Sequence, residues 1–593
     1  MMERPGPTGG IPLSDRGRRS SRIILAFAVV AIAFAAADTY VVVLALPAMM
    51  TTVGLDIDQL QRAAPIVSGF LLGYVGVLPL IGRIADLRGR VPVLLGCLVI
   101  FAIGSVVTAA AYDLPTIVAG RLIQGIGGGG LIPPTLALVA DLWPPEKRGF
   151  PLGVVGAMQE LGSVVGPLYG AAVLTVASWR AIFWINAIVG VILAAGMLRR
   201  RQRLDLPGLL LLALTLAGMS LIMLAPARLV TGVTTGLAFL PVTGESRWLT
   251  PLAFGTAGLL LLFCARQAFA RRPMLDWRRW PALAHQADLL GALLLCAGLG
   301  AVILTFASAE PETAAISASA PILLPIAAAA FVAFALRQRF AGHPLLPRGA
   351  FAARPAWGAL VVSFLIGASL IAALVDIPFF ARLTVHRDSQ VDAAMVLVRF
   401  LIALPVGALI GGMLLRFLRP TWLTAAGMAI STAAFVHMAT WDQNALRHES
   451  ELIALVSGGL GFGLAIAPVN AALLNHTADD VHGVASGMLI VSRMVGMLVG
   501  ISALTTVGLR AFYKASAAIP PIDELCGAPV ACSAYRDAIR DAGIAQLHAV
   551  FVGAAACAAL AAILALVLLR PVRRRGLDGT PAASSRTTVE TTD

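Results

Sequence analysis

Gly82-Arg83-Ile84-Ala85-Asp86-Leu87-Arg88-Gly89-Arg90 sets three arginines and one aspartate between two long apolar runs. Its glycines allow a tight turn where a β-carbon would clash. The charges fall where an apolar helix would leave a bilayer, so they are placed to tie one helix end to another. The stretch predicts a chain of membrane helices joined, after the second of them, by a short constrained loop.

The rest of the chain has the matching composition. Hydrophobic residues make up 59% of 593 and charged residues 13%, at a mean hydropathy of +0.87. Such values exclude an ordinary soluble domain and fit repeated spans of about 20 apolar residues. A net charge of +13 would suggest a nucleic-acid partner if the cations formed a patch. Instead they cluster between apolar runs, at 83–90, 147–148, 199–203, 266–279, 337–354, 416–419 and 570–575, and before the first run at 16–22. The alternate connections carry few charges or acids such as Asp56, Asp58, Glu310, Glu312, Glu449 and Glu451. By the positive-inside rule this predicts sixteen spans between 23–49 and 546–569, with both termini cytoplasmic in the cell (inner) membrane. The first run is too long for a signal-peptide core and reads as an uncleaved span.

The middle of the chain contains an echo. Asp205-Leu206-Pro207-Gly208 recurs as Asp288-Leu289-Leu290-Gly291, and Arg266-Gln267 with Pro273 recurs as Arg337-Gln338 with Pro344. This predicts two inserted transmembrane hairpins, although unrelated hairpins with similar flanks would give the same pattern. The organisation expected is a cytoplasmic tail (1–22), a six-helix half (23–198), a linker with both hairpins (199–355), a second six-helix half (356–569) and a disordered cytoplasmic tail (570–593).

Asp38, Glu160, Asp376 and Arg493 lie deep in apolar runs, and Arg121 lies in another. Ionisable groups in hydrocarbon are costly and mark functional sites by default. A buried carboxylate gains and loses a proton near neutral pH, so Asp38 and Glu160 are candidate proton-coupling residues, with Arg493 as counter-charge. A static ion pair is the competing reading. Arg399 is placed to pair with Asp376. Cys526 and Cys532 flank a short loop on the side read as outside, and a disulfide there is compatible with their spacing. No nucleophile–base pair, metal-ligand spacing or phosphate loop is present, so neither an enzyme nor a cofactor or metal site is expected.

The loop 82–90, with its pattern G-x-x-x-D-x-x-G-R, resembles the loop between the second and third helices of the major facilitator superfamily. That resemblance implies an all-α polytopic fold of twelve core helices in two halves, cycling by alternating access. It places Asp86 near the start of the span at His482-Gly483, with Gly82, Gly89, Arg90 and Asp141 completing a gate. Arg121-Leu122-Ile123-Gln124-Gly125 is similar to the superfamily's fourth-helix motif, whose arginine is linked to proton transfer. Gly162, Gly166, Pro167 and Gly170 resemble the motif of the drug/proton antiporter branch, which implies export.

Asp38-Thr39-Tyr40, Glu160-Leu161-Gly162, Trp184-Ile185-Asn186, Phe400-Leu401-Ile402 and Arg493-Met494-Val495 look more narrowly like the mycobacterial triacylglyceride exporters. That family implies a proton-driven carrier of triacylglyceride-type lipid working with a periplasmic lipoprotein. A multidrug antiporter for amphiphilic drugs is the alternative, and a non-transporting scaffold or sensor a remote one. The chain departs from the family in carrying four linker helices rather than two, and Asn475 where a basic residue is usual. The second-half counterpart of the loop has Arg416 where Asp86 stands, so only one half can form the gate.

Overall fold

The computed structural model describes residues 15–55, 60–198, 205–270, 280–307, 319–386, 389–526 and 532–570. Helices account for nearly all of it, and no strand occurs among the described residues. The first part comprises α1 (Asp15–Thr52), α2 (Leu60–Gly76), α3 (Leu78–Arg88), α4 (Arg90–Ala110), α5 (Leu114–Gly129), α6 (Ile132–Leu142), α7 (Gly149–Val176) and α8 (Trp179–Leu198). The middle comprises α9 (Leu206–Leu224), α10 (Ala227–Val230), α11 (Pro251–Phe269), α12 (Trp280–Gln286), α13 (Leu289–Ala307) and α14 (Ala320–Phe340). The last part comprises α15 (Arg354–Leu383), α16 (Gln390–Leu414), α17 (Pro420–Met438), α18 (Ser450–Leu474), α19 (His482–Ser516), α20 (Ile522–Cys526) and α21 (Ser533–Leu568).

Among the described residues, thirteen segments are long and apolar enough to cross a membrane, fewer than the sixteen expected. The other three runs fall on α7, α13 and α17. The apolar stretch of α13, Leu289–Thr305, is shorter than those of the thirteen. Two runs are broken helices. The second breaks between α2 and α3, where Pro79 starts a new helix, and the fourth breaks between α5 and α6, just before Pro133-Pro134. Proline has no N–H to continue the ladder, which is why each run restarts there.

Among the described residues two large apolar cores form, with two smaller clusters beside them. One joins α15 to α19 and α21 around Phe380, Phe400, Phe462 and Phe551. The other joins α1 to α8 around Ile32, Phe70, Leu98 and Phe101, and takes in residues of α13, α18 and α19. Between them α19 packs on α3 and α6, and α7 packs on α16 and α18. These crossings concentrate at the end that carries the arginine loops, called here the basic face.

The echo in the middle is a structural repeat. Asp205 caps α9 by accepting from the Gly208 amide at 3.1 Å, and Arg266 returns from α11 to the same carboxylate at 2.6 Å. Asp288 does the same for α13, with Gly291 at 3.1 Å and Arg337 of α14 at 3.0 Å. Burial works against the charge on Asp205, but Arg266 and the Gly208 amide outweigh it and hold the carboxyl below its usual range. In the second copy Leu345, next to Pro344, donates its amide to Asp288 at 3.2 Å; the corresponding Pro273 lies outside the described residues. The first hairpin packs α9 on α4, and the second packs α13 on α2 and α19. Cys296 of α13 donates to the Gly76 carbonyl at 2.7 Å, at the α2–α3 break.

α19 has 35 residues and α21 has 36. At 1.5 Å per residue each is over 50 Å long, against about 30 Å of hydrocarbon, so both project beyond a bilayer on the face opposite the basic one. A Cys526–Cys532 disulfide, with Cα atoms 5.6 Å apart, ties the end of α20 to the start of α21.

Candidate functional site

The loop 82–90 builds a latch between the two cores. Gly89 turns the chain from α3 into α4 at φ 89°, a left-handed conformation that glycine adopts without strain. The turn aims Asp86 across the seam, where its fully buried carboxylate accepts from the Gly483 and Val484 amides at 2.9 and 3.0 Å. These amides open α19, so the carboxylate meets unpaired donors and the positive end of the helix dipole. Gly82 and Gly483 bring the two backbones into contact: a β-carbon on Gly82 would overlap the Gly483 carbonyl. Arg90 pairs with Asp86, with Asp141 at 3.2 Å, and with the Asp479 carbonyl at 3.1 Å. Beside it Arg148 donates to the Asn475 side chain at 3.3 Å, so a neutral acceptor serves as the second cross-seam contact. Farther along the seam, α7 meets α16 through Gly149, Gly153 and Gly412.

A polar knot lies inside the first core. Asp38 of α1 is paired with Arg121 of α5, and both are sealed from solvent. Asn186 of α8 donates to Asp38 at 2.5 Å. Arg121 also donates to Gln124 at 2.7 Å, and Gln124 donates to Ser105 at 3.0 Å. The guanidinium lies 4.2 Å from the Phe70 ring centre, a cation–π contact in a dry site. Five helices thus satisfy two buried charges, as a low-dielectric interior demands.

The second pair joins the halves. Glu160 of α7 lies 3.5 Å from Arg493 of α19, both nearly buried. Tyr40 and Tyr74, from α1 and α2, are the other ionisable groups near them. Gly162, Gly166 and Gly170 follow Glu160 on α7 and pack on Ala33, Ala37 and Val41 of α1. That smooth face, with Pro167 inside the helix, sets α7 against α1 while Glu160 reaches toward α19.

Two sequence expectations change. Asp376 and Arg399 form no ion pair; Asp376, on α15, is half-buried without a hydrogen bond among the described residues. Asp38 and Arg121, read separately from sequence, are one unit. Sequence reading assigned no role to Asn186, Gln124 or Arg148. For Asn186 the available signals were an amide in the apolar run 181–198 and its place in the family-like segment Trp184-Ile185-Asn186.

Residues 27–501 match the family model described as Major Facilitator Superfamily. The chain is 35% identical over 522 residues to a triacylglyceride transporter of Mycolicibacterium hassiacum, covering 85% of this chain and 84% of that one. It is 32% identical over 577 residues to one of Mycolicibacterium smegmatis (94% and 88%) and 32% identical over 524 residues to one of Mycobacterium tuberculosis (85% and 86%). Two solved structures share the fold at low identity. They are the human organic anion transporter MFSD10 (TM-score 0.51, 15% identity, 92% and 99% covered) and the proton:xylose symporter XylE (TM-score 0.52, 12% identity, 93% and 96% covered). The chain is therefore a multi-pass membrane transporter, not an enzyme, and it belongs to the Major Facilitator Superfamily.

Proposed function

We propose that this protein exports lipophilic molecules, of triacylglyceride type, by exchanging them for protons through alternating access. The observation that carries the reading is the Glu160–Arg493 pair. It is nearly buried, it joins the two halves, and it lies where a rocking motion would part its members. When Glu160 is protonated the attraction to Arg493 lapses, and when the proton leaves it returns. Asp38 and Arg121 form a second such couple within the first half. The Asp86–Gly483 latch holds the basic face closed. The basic face reads as cytoplasmic.

The lipid class is supported by the relatives named triacylglyceride transporters. A periplasmic lipoprotein is the partner that the projecting α19–α21 tip would meet. The reading keeps two six-helix halves, 23–198 and 356–569, with both hairpins in the linker between them.

The direct test uses proteoliposomes loaded with fluorescent triacylglyceride under an imposed pH gradient. Glu160→Gln should abolish gradient-driven export while the protein stays folded; export at the parent rate would sink the proposal. Orientation has its own test. In intact cells, after mild reduction, Cys526 and Cys532 should react with a membrane-impermeant maleimide. Labelling that requires permeabilised cells would invert the topology.

A further inference from the structure

Directly on the basic side of the Glu160–Arg493 pair lies a small cavity of about 20 Å³. It is lined mostly by apolar side chains of α6, α7, α15, α18 and α19, with Gln159, Ser363, Asn470 and Arg493 as the polar exceptions. The volume suits one water molecule, which needs at least two polar partners to be held. Ser363 donates its hydroxyl to the Leu489 carbonyl at 3.1 Å, so toward a water it can only accept. Asn470 donates to its own helix, to Ile466, at 2.9 Å, which leaves its side-chain oxygen free to accept. Gln159 makes no hydrogen bond among the described residues, and it precedes Glu160 on α7. The latch and the α7–α16 contact at Gly153 and Gly412 lie between this cavity and the basic face.

We infer that Gln159 and Asn470 hold a water here as the inner station of the proton route. The inference rests on Glu160 being the coupling carboxyl. While the latch is closed the water is trapped. When the latch opens, the Glu160 carboxyl proton passes to this water and on to bulk solvent, and the carboxylate left behind pairs with Arg493. Gln159 and Asn470 are positioning residues in this route, since the proton moves between Glu160 and water. The ionisable groups around Glu160 are Arg493 of α19, Tyr40 of α1 and Tyr74 of α2.

The test measures proton release with a pH dye in the basic-side compartment of proteoliposomes, beside triacylglyceride-for-triacylglyceride exchange at equal pH. Gln159→Leu with Asn470→Leu should slow proton release by at least roughly tenfold. Exchange should stay near the parent rate. Asn470→Ser, which keeps a hydroxyl for the water, should restore most of the proton release to Asn470→Leu. Unchanged proton release in the leucine variants would overturn the inference. So would a parallel loss of exchange, because that marks packing residues. Glu160→Gln in the same assay separates the levels: if it still couples protons, the underlying reading fails, whatever the cavity variants do.

Discussion

Asp38→Asn should give a folded protein that no longer exports against a proton gradient. Two physical readings of the Asp38–Arg121 pair diverge here. If the pair were a static strut, removing the negative charge would strand a sealed guanidinium, at a cost of about 3–5 kcal/mol, and the chain would fail to fold. The surroundings of Arg121 argue otherwise. Without the carboxylate charge it keeps the Gln124 side chain at 2.7 Å and the Ile66 carbonyl at 3.4 Å, together with the Phe70 ring face. Asn186 continues to meet an amide oxygen at position 38. The expected stability loss is that of one charged hydrogen bond, about 1.5–3 kcal/mol. Because asparagine mimics only the protonated acid, the cycle stops, and gradient-driven export should fall by at least roughly 100-fold. Export in proteoliposomes and thermal unfolding in detergent check the two halves of this statement. A folded variant exporting at the parent rate, or one that does not fold, would remove Asp38 from the coupling machinery.

The sequence made some parts of this arrangement legible and hid others, for physical reasons. Apolar runs and arginine clusters are one-dimensional consequences of the bilayer, so helix positions could be read directly. The repeated Asp-x-x-Gly caps were also readable, because a cap and its helix are neighbours in sequence and the returning arginine follows at a similar spacing. The latch at 82–90 was readable only through its resemblance to a family, since nothing local says that Asp86 meets an amide 397 residues away. The partners of Asp38 were hidden for the same reason. Arg121 is 83 residues distant and Asn186 148, and the rotation of each helix about its axis decides whether they meet. The proposed pairing of Asp376 with Arg399 failed on that rotation. The breaks before Pro79 and Pro133 left hydropathy untouched, so two pairs of helices read as two continuous spans.

Asp86→Asn should shift the protein toward the conformation open at the basic face, and Gly82→Val should do so more completely. The carboxylate accepts two amide hydrogen bonds at the start of α19 and also pairs with Arg90. An asparagine keeps one acceptor oxygen and loses the charge that the helix dipole and Arg90 favour. The loss is about 2–3 kcal/mol, which moves the ratio of the two conformations by roughly 30- to 150-fold. Valine at 82 acts by volume instead. Its β-carbon would overlap the Gly483 carbonyl, a backbone atom that cannot rotate away. The helices must separate, and with them the contacts of Arg90 with Asp479 and Arg148 with Asn475, which bridge the same seam. Spin labels on the basic ends of α3 and α19 would report the change as a longer distance population in both variants. Arg416→Ala, at the second-half counterpart of Asp86, should leave that distribution at the parent's, because Arg416 offers no carboxylate to a helix start. A parent-like distribution in Gly82→Val would mean that the backbones can close without this contact, and the latch would lose its role.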